Sequence, residues 1–344
     1  MNDIESVPCD VCGSFDSTEI VSQRDLAFAV TGDLFHVMEC NHCHLMYTNP
    51  RPDQKKLPDF YVNTYYNLPE QALEKSDSKN LKPKFKDRFR VLLKEELYHY
   101  PKSSPQKRNG IKHFLLILML RIEQFRLVLA GREKGIIPFI GEGKVLDVGC
   151  GNGVILKGLQ SEGWKTYGVE LNDRASDYAR RILGLNVFTG ALMDAKFPDS
   201  FFDVILFNHT LEHMTSPRRV LAEANRILKA GGLLVISLPN ARSIEARLFK
   251  SYWFPWELPR HLYHFSFSTL TKILKLNGFK VSKMVGETGT GTFLKSFEYV
   301  CRYKFGRKCD AVINKMVRPL IRPFLFIFGH LGLSGIFTVY ARKE

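Results

Sequence analysis

Residues 144–153 read Lys-Val-Leu-Asp-Val-Gly-Cys-Gly-Asn-Gly, and this stretch decides the fold. An apolar run that ends in a glycine-rich turn predicts a buried strand, a tight loop and then a helix after Gly153. Glycines let the backbone approach a ligand closely, and the first turn of the helix offers free N–H donors. The stretch therefore predicts a ligand-binding turn at the carboxyl end of a parallel strand.

Downstream of this turn, short apolar runs alternate with helical patterns. We expect strands at 145–148, 166–169, 204–207, 233–238 and 280–284, and helices at 153–162, 173–183, 217–229 and 268–277. A final strand is expected at about 335–341. Such alternation is typical of βαβ units, so the sequence predicts an α/β fold with a parallel sheet.

The charge pattern around the turn selects the ligand. The strand Thr166–Glu170 ends in an acid 17 residues after Gly153, where a carboxylate can accept hydrogen bonds from ribose hydroxyls. The glycine pattern is GxGxG, whereas a dinucleotide site needs GxGxxG. Asp147 precedes it, and a carboxylate there would repel a pyrophosphate but would attract an ammonium group. The residues therefore favour S-adenosylmethionine over NAD.

These motifs resemble the class I S-adenosylmethionine-dependent methyltransferases. VLDVGCGNG is similar to the first motif of that family and YGVE to the end of its second strand. FFDVILFNHTLEHM and LKAGGLLVISLPN resemble its fourth and fifth strands. The resemblance implies a Rossmann-like seven-stranded sheet with helices on both faces. With the cysteine pairs described below, YTNPRP at 47–52 and RHLYHFS at 260–266, the chain looks closest to methyltransferases with an N-terminal zinc-binding domain.

The resemblance also implies residue roles. It places the methionine portion of the cofactor at the glycine turn, the ribose at Glu170 and the adenine near Leu171, Met193 and Asp194. Asn208 and His209 would line the floor beneath the sulfonium. The expected cofactor-binding residues are Asp147, Gly149, Cys150, Gly151, Asn152, Gly153, Glu170, Leu171, Met193, Asp194, Asn208 and His209.

Four of the seven cysteines form two CxxC pairs, Cys9/Cys12 and Cys40/Cys43, separated by 27 residues. Two such knuckles predict one tetrahedral zinc site, and four thiolates leave no open position for catalysis. We therefore expect a structural zinc in a ribbon domain over residues 1–50, with His42 and His44 as substitute ligands. The odd cysteine count and the absence of a leader pattern at the N-terminus favour a cytoplasmic protein over a disulfide-bonded one.

The segment His209-Thr-Leu-Glu-His213 has three interpretations. As HxxEH it matches an inverted zinc-protease motif, but that motif needs a helix and His209 ends a strand. Quinone O-methyltransferases of this class bind Mg²⁺ at the same loop through an acid pair and a histidine. Here His209 replaces the first acid, which disfavours Mg²⁺ because that ion prefers oxygen ligands. The third interpretation is a Glu/His pair that shapes the acceptor pocket.

Arg260-His-Leu-Tyr-His-Phe-Ser266 is a second polar cluster, within a predicted acceptor loop at 240–267. His261 or His264 could remove a proton from an acceptor hydroxyl near neutral pH. Alternatively, both histidines hold the loop by hydrogen bonds. The candidate catalytic residues are His209, Glu212, His213, His261 and His264.

The formal net charge of +14 excludes an acidic protein and suggests an anionic partner. Residues 79–134 hold 15 Lys and Arg against 5 Asp and Glu, and residues 295–344 hold 10 against 3. Two apolar stretches lie within these flanks. Residues 111–130 favour a helix that packs on the domain or lies on a membrane, and residues 323–341 favour a helix followed by the final sheet strand over a membrane span. We therefore divide the chain into the ribbon, a linker and helical segment at 51–140, and a methyltransferase domain at 141–344.

We expect methyl transfer to a small-molecule, sugar or lipid-linked acceptor, by O- or C-methylation, with a peripheral contact at the inner face of an anionic membrane. The alternative is RNA methylation, because a zinc ribbon and a basic surface also suit RNA. The basic stretch is rich in leucine rather than in exposed stacking aromatics, which makes nucleic acid the less favoured partner.

Overall fold

The computed structural model describes residues 4–62, 85–102, 110–129, 137–307 and 311–344. The N-terminal part contains five strands, β1 (Ile4–Glu5), β2 (Ser17–Arg24), β3 (Leu34–Cys40), β4 (Met46–Thr48) and β5 (Arg51–Pro52). Two helices follow, α1 (Phe85–Leu97) and α2 (Ile111–Leu129). Residues 63–84 of the predicted linker lie outside the described residues.

The remaining chain alternates strands and helices as the apolar pattern predicts. In chain order it contains β6 (Lys144–Val148), α3 (Val154–Ser161), β7 (Lys165–Glu170), α4 (Asp173–Arg181), β8 (Asn186–Thr189), β9 (Phe202–Asn208), α5 (Pro217–Ile227), β10 (Leu228–Pro239), α6 (Ile244–Phe249), β11 (Tyr263–His264), α7 (Phe267–Leu276), β12 (Phe279–Gly286), α8 (Gly291–Tyr299), α9 (Ala311–His330) and β13 (Ile336–Lys343).

Seven strands form the central sheet, in the order β8-β7-β6-β9-β10-β13-β12. The first five pair in parallel, whereas β13 runs antiparallel to both of its neighbours. The predicted Rossmann-like α/β fold with seven strands is therefore confirmed. Because β6 and β9 are neighbours whose chain connections leave in opposite directions, their carboxyl ends form the crevice where such sheets bind ligands.

Both faces of the middle of the sheet are buried, which explains why strands such as β9 are continuous apolar runs. One face packs against α5 and α7 through residues such as Leu221 and Ile273. On the other face, Leu93 of α1 and Leu120 of α2 pack against Val145 and Val204. No helix within the described ranges is long and apolar enough to cross a membrane.

The cysteine-containing N-terminal part shares a sheet with the predicted acceptor loop. β11 pairs with β4, and the sheet runs in the order β11-β4-β3-β2. The guanidinium of Arg260 also donates two hydrogen bonds, of 2.7 and 3.1 Å, to the carboxylate of Asp25, and both side chains are fully buried. The N-terminal part therefore holds both β11 and the loop that precedes it.

Candidate functional site

The glycine-rich turn lies between β6 and α3, as predicted. The N–H groups of Gly149 and Cys150 both donate to the carbonyl of Val169, at 2.7 and 3.1 Å, which ties the turn to β7. Gly149 has φ +71°, and a Cβ there would lie 2.4 Å from Cγ2 of Thr210, so only glycine fits. Gly151 has φ +54° with open space above it, where a ligand can approach the backbone.

Two carboxylates flank this turn. The Glu170 side chain accepts hydrogen bonds of 2.8 Å from the N–H of Gly151 and from the N–H of Asn172. Asp147 is 1% exposed, and no described residue hydrogen-bonds to its Oδ1. Burial, and then the charge of Glu170, raise the pKa of Asp147 to about 7. An unpartnered buried carboxylate oxygen beside an open glycine turn fits a cationic ligand group, and it disfavours a pyrophosphate.

The other predicted cofactor residues lie along the same edge of the sheet. Leu171 follows β7 and is 68% exposed, and Met193 lies in a short 3-10 helix after β8 together with Asp194. Exposed apolar side chains at this edge offer a surface for a flat ring. Cys150 is instead buried beside Leu156, and burial raises the pKa of its thiol, so it packs rather than reacts.

Asn208 lines a cleft of about 400 Å³ at the carboxyl ends of β9 and β10. Its other polar walls include Ser237, Glu287 and Thr338, and the Ser237 and Thr338 hydroxyls are 2.6 Å apart. These three residues were not among the predicted site residues. Ser237 could have been found from its place in the fifth-strand motif, but Thr338 enters only because the antiparallel β13 inserts beside β10.

His209 follows Asn208 with φ +53°, a left-handed conformation that is strained for a histidine. Its N–H donates to the carbonyl of Ser237 at 2.8 Å, and its Nδ1 lies 3.5 Å from Oε1 of Glu212. The side chain is 41% exposed, so the imidazole stays accessible at the edge of the sheet. Burial alone would raise the pKa of Glu212, but the neighbouring histidines, His209 first, outweigh it and lower the pKa.

Glu212 and His213 lie in a 3-10 turn, Leu211–His213, and not in an α-helix. The helical geometry that an inverted zinc-protease motif needs is therefore absent from this described segment. His213 instead approaches His261, with ring centroids 4.6 Å apart. Burial lowers the pKa of both imidazoles to about 4.

His264 is buried, as His261 is. Burial lowers the pKa of His264, and its Nε2 lies 3.2 Å from the hydroxyl of Thr48. Trp253 and Trp256, which precede the cluster, are buried in a core with Phe35 and Phe249. The Arg260–Ser266 segment is thus packed between the N-terminal part and the main domain.

The two CxxC pairs come together at the start of the ribbon. Four sulfur atoms converge here: the Sγ atoms of Cys9, Cys12, Cys40 and Cys43 all lie within 4.8 Å of one another. None of these four cysteines forms a disulfide. The N–H of Gly13 donates to the carbonyl of Cys9, and the N–H of His44 donates to that of Cys40, so both pairs form matching turns. This donor set fits a tetrahedral zinc ion.

The two histidines considered as substitute ligands point to other partners. The His42 imidazole lies 3.4 Å from the carboxylate of Asp16, and that of His44 lies 3.1 Å from Glu39. Both histidine side chains are mostly exposed. The cluster that converges is therefore made of the four cysteines.

Comparisons with known proteins agree with this geometry. Residues 119–283 match the methyltransferase domain family. The ubiquinone biosynthesis O-methyltransferase of Azoarcus sp. is 35% identical over 112 residues, which cover 31% of this chain and 48% of that protein. The 27-O-demethylrifamycin SV methyltransferase of Amycolatopsis mediterranei is 28% identical over 137 residues, 36% of this chain and 50% of that protein. The chain spans about half the length of these curated relatives.

Among solved structures, an S-adenosylmethionine-dependent methyltransferase from Archaeoglobus fulgidus superposes with a TM-score of 0.44 at 23% identity, covering 66% of this chain and 99% of that one. The strand order and the glycine turn define the fold as that of the Rossmann-like methyltransferases. In this chain, the segment that matches the family is residues 119–283.

Proposed function

We propose that this protein is an S-adenosylmethionine-dependent methyltransferase that acts on a small-molecule, sugar or lipid-linked acceptor. The observation that carries the proposal is the buried carboxylate of Asp147, whose Oδ1 has no hydrogen-bond partner among the described residues. A cationic cofactor would supply the missing charge. The curated relatives named for small-molecule methylation support the acceptor class.

In this proposal each edge residue has one task. Asp147 and the turn Gly149–Gly153 would hold the methionine portion, and Glu170 would accept hydrogen bonds from the ribose through its remaining lone pairs. Leu171, Met193 and Asp194 would border the adenine. S-adenosylmethionine supplies an already activated methyl group, so the protein mainly has to align the acceptor with it. Such alignment can contribute roughly 7–11 kcal/mol to lowering the barrier.

Among the five candidate catalytic residues, His209 is the best placed to touch an acceptor. It combines an exposed imidazole with a neighbouring carboxylate, Glu212, that orients it and stabilises its protonated form. His261 and His264 are buried and hydrogen-bonded, which favours a positioning role for them. We therefore assign proton removal from an acceptor hydroxyl to His209, where the acceptor needs a base.

Calorimetry with S-adenosylmethionine tests the cofactor. We expect binding by the full chain, and at least a tenfold loss in Asp147→Ala and Glu170→Ala. Asp173→Asn, an exposed acid three residues after Glu170, is the matched control and should bind like the parent. Absence of binding, or equal binding by all variants, would overturn the proposal. Transfer of labelled methyl groups into a fractionated cell extract would then identify the acceptor.

We also infer that the four cysteines hold a structural zinc ion. The supporting observation is the convergence of four sulfur atoms without a disulfide. Four thiolates also suit a reducing, cytoplasmic compartment. One equivalent of zinc in the purified protein, lost in Cys12→Ser, is the expected result; zinc content unchanged in that variant would contradict the inference.

For the partner surface, we propose peripheral contact with an anionic membrane through α9. Met316, Leu320, Phe324, Ile327 and Leu331 recur at helical spacing, and all five are exposed. Lys315, Arg318 and Arg322 are exposed on the same helix, and residues 311–330 contain no acid. At helical spacing these three cations lie on the opposite side of the helix from the apolar stripe. A helix with an apolar face and a basic polar face is typical of helices that lie in the membrane interface.

Co-sedimentation with vesicles, set beside RNA gel shifts, tests this surface. We expect binding to vesicles containing phosphatidylserine, weakened by salt and by Leu320→Glu plus Phe324→Glu. Leu276→Glu, an exposed leucine at the end of α7, is the control. Tighter binding to RNA than to these vesicles would favour the RNA alternative.

A further inference from the structure

The cleft beside Asn208 continues along one face of the sheet. Each of three neighbouring strands contributes two lining residues that are two positions apart: Leu206 and Asn208 of β9, Val235 and Ser237 of β10, and Thr338 and Tyr340 of β13. Residues two apart on a strand point to the same face, so these side chains form one wall. The volume of about 400 Å³ lies within the roughly 300–1,000 Å³ of small-molecule sites.

The strand register sorts this wall into two rows. The row nearest to the carboxyl edge of the sheet is polar and consists of three register partners, Asn208, Ser237 and Thr338. The deeper row consists of the partners Leu206, Val235 and Tyr340. A ligand in the cleft therefore meets amide and hydroxyl groups at one end, and aliphatic side chains with an aromatic ring at the other.

The polar row adjoins the predicted cofactor site. Phe207 pairs with Val148 in the parallel ladder between β9 and β6, so Asn208 lies beside the start of the glycine turn. The Ser237 and Thr338 hydroxyls, 2.6 Å apart, hold two protons and use one of them in their mutual hydrogen bond. The pair can therefore also donate a hydrogen bond to an oxygen atom of a ligand.

Helix α3 forms another wall and contains a glycine that its packing does not explain. Ile155, Gly158 and Leu159 line the cleft at the spacing of one helix face. Glycine inside a helix is destabilising, because it loses more backbone freedom than other residues do. A Cβ at Gly158 would meet no neighbouring atom within 4 Å, so no close contact requires glycine here. The absent side chain instead keeps the exposed side of the cleft open.

The charged groups of the cleft disfavour an anionic ligand. Lys94 of α1 and Glu162 both line the cleft and form an ion pair, so the charge of the lysine is already neutralised. Glu287 adds a further acid to the lining. A phosphate group or a nucleic-acid backbone would therefore meet a wall with a net negative charge, whereas an uncharged ligand would not be repelled.

We propose that this cleft binds the methyl acceptor and that the acceptor is an uncharged amphiphile, with a hydroxyl-bearing head at the polar row and an apolar body along Val235, Tyr340 and α3. The role as acceptor rests on the proposed methyl transfer, whereas binding in the cleft does not. In that transfer the acceptor oxygen bonds to the methyl carbon, the carbon–sulfur bond breaks with its electron pair moving to sulfur, and the hydroxyl proton passes to His209. A free sugar or a base of RNA lacks the apolar body that this cleft would bury.

Calorimetry with para-hexylphenol, a phenol with an apolar tail, tests the proposal on the full-length protein. We expect saturable binding, both alone and with saturating S-adenosylmethionine. Each buried CH₂ group contributes roughly a fourfold gain in affinity, so phenol itself should bind at least about 100-fold more weakly. Gly158→Phe should weaken probe binding by at least about tenfold, because its ring takes the space of the tail. Thr338→Val, which removes one hydroxyl, should weaken it by about three- to tenfold.

Gln160→Phe adds the same side chain to the opposite side of α3 and is the matched control, which should bind the probe like the parent. Thermal unfolding checks the folding of each variant; if Gly158→Phe does not fold, Ile155→Trp, at an exposed position on the same helix face, decides. Equal affinity in Gly158→Phe and Gln160→Phe, equal affinity for phenol and para-hexylphenol, or displacement of the probe by S-adenosylmethionine would overturn the proposal. Calorimetry with S-adenosylmethionine alone tests the methyltransferase proposal separately: if the cofactor does not bind although the probe does, the proposed function is wrong and the cleft binds a ligand of another kind.

Discussion

Asp147 is the residue where electrostatics and binding are most directly linked. Burial raises its pKa to about 7, so near neutral pH the free protein holds a mixture of the acid and the carboxylate. A cationic cofactor binds the carboxylate. Its affinity should therefore be constant above pH 7 and should fall about tenfold for each pH unit below it.

Calorimetric titrations at pH 6, 7 and 8 check this prediction. Asp147→Asn keeps the shape of the side chain without its charge, so its affinity should be lower by about 10- to 100-fold at pH 8, matching the roughly 1.5–3 kcal/mol of a charged hydrogen bond. Its pH profile between 6 and 8 should be flat. The same pH dependence in Asp147→Asn and in the parent would assign the titration to another group.

Arg260 is the residue on which the loop before β11 depends most. Burial alone would raise the pKa of Asp25, but the Arg260 guanidinium outweighs it and lowers the pKa. Arg260→Ala leaves that buried carboxylate unpaired, and we expect a loss of about 3–5 kcal/mol in the free energy of unfolding. Arg181→Ala, which removes an exposed ion pair with Asp177, should change it by less than about 1 kcal/mol.

Chemical denaturation with both variants measures these changes. Replacing both partners, as in Asp25→Leu with Arg260→Met, should recover part of the loss, because no buried charge is then left alone. A loss in Arg260→Ala as small as that in Arg181→Ala would show that the buried pair does not hold the loop. The sequence indicated a polar cluster at 260–266 but could not indicate its partner, since Asp25 is 235 residues away.

At the scale of elements, the apolar pattern predicted most of the sheet. The runs at 145–148, 166–169, 204–207, 233–238 and 280–284 all lie within observed strands. The strands in the middle of the sheet are buried on both faces and so are mostly apolar, whereas β12 is an edge strand with several exposed positions. β8, Asn186–Thr189, was not located from its sequence. It is an edge strand of four residues with alternating burial, so its apolar signal is short and weak.

The N-terminus of helix α5 is capped by a residue from a distant part of the chain. The side chain of Ser216, the N-cap residue that precedes the helix, makes no capping bond to the helix. Asp10, inside the first cysteine knuckle, instead accepts hydrogen bonds from the N–H of Arg218 at 2.7 Å and from the hydroxyl of Ser216 at 2.8 Å. The ribbon thus supplies the acidic cap of a helix that begins next to the candidate site.

Removal of this cap should loosen the ribbon. Asp10→Ala is expected to lower the free energy of unfolding by about 1 kcal/mol, the usual cost of a lost N-cap, and Asp10→Asn by less. Asp33→Ala, an exposed acid in the loop before β3, serves as the control and should leave stability unchanged. Thermal unfolding reports the stability, and faster proteolysis of the N-terminal segment should accompany the loss. Equal melting temperatures for Asp10→Ala and Asp33→Ala would exclude a capping role.

At the scale of the whole molecule, the ribbon and the methyltransferase domain meet on one side of the candidate site. β4 pairs with β11, and the Thr48 hydroxyl donates to the carbonyl of His261 at 2.8 Å. Asp147 and Glu170 instead lie at the ends of β6 and β7, which pair only with strands of the central sheet among the described elements. The ribbon should therefore control the acceptor side of the site and not the cofactor side.

Cys40→Ser tests this division. Zinc contributes roughly 10 kcal/mol or more to a structural site of this kind, so its loss should unfold β3 and β4 and release β11. Hydrogen exchange at the amide of Leu262 should then become faster by at least about tenfold, while the affinity for S-adenosylmethionine changes by less than about threefold. Cys301→Ser, which lies outside the cluster, should alter neither quantity. If the affinity of Cys40→Ser for S-adenosylmethionine falls by as large a factor as hydrogen exchange at Leu262 rises, the prediction is wrong. The ribbon would then support the whole sheet, because the two sides of the site would fold and unfold together.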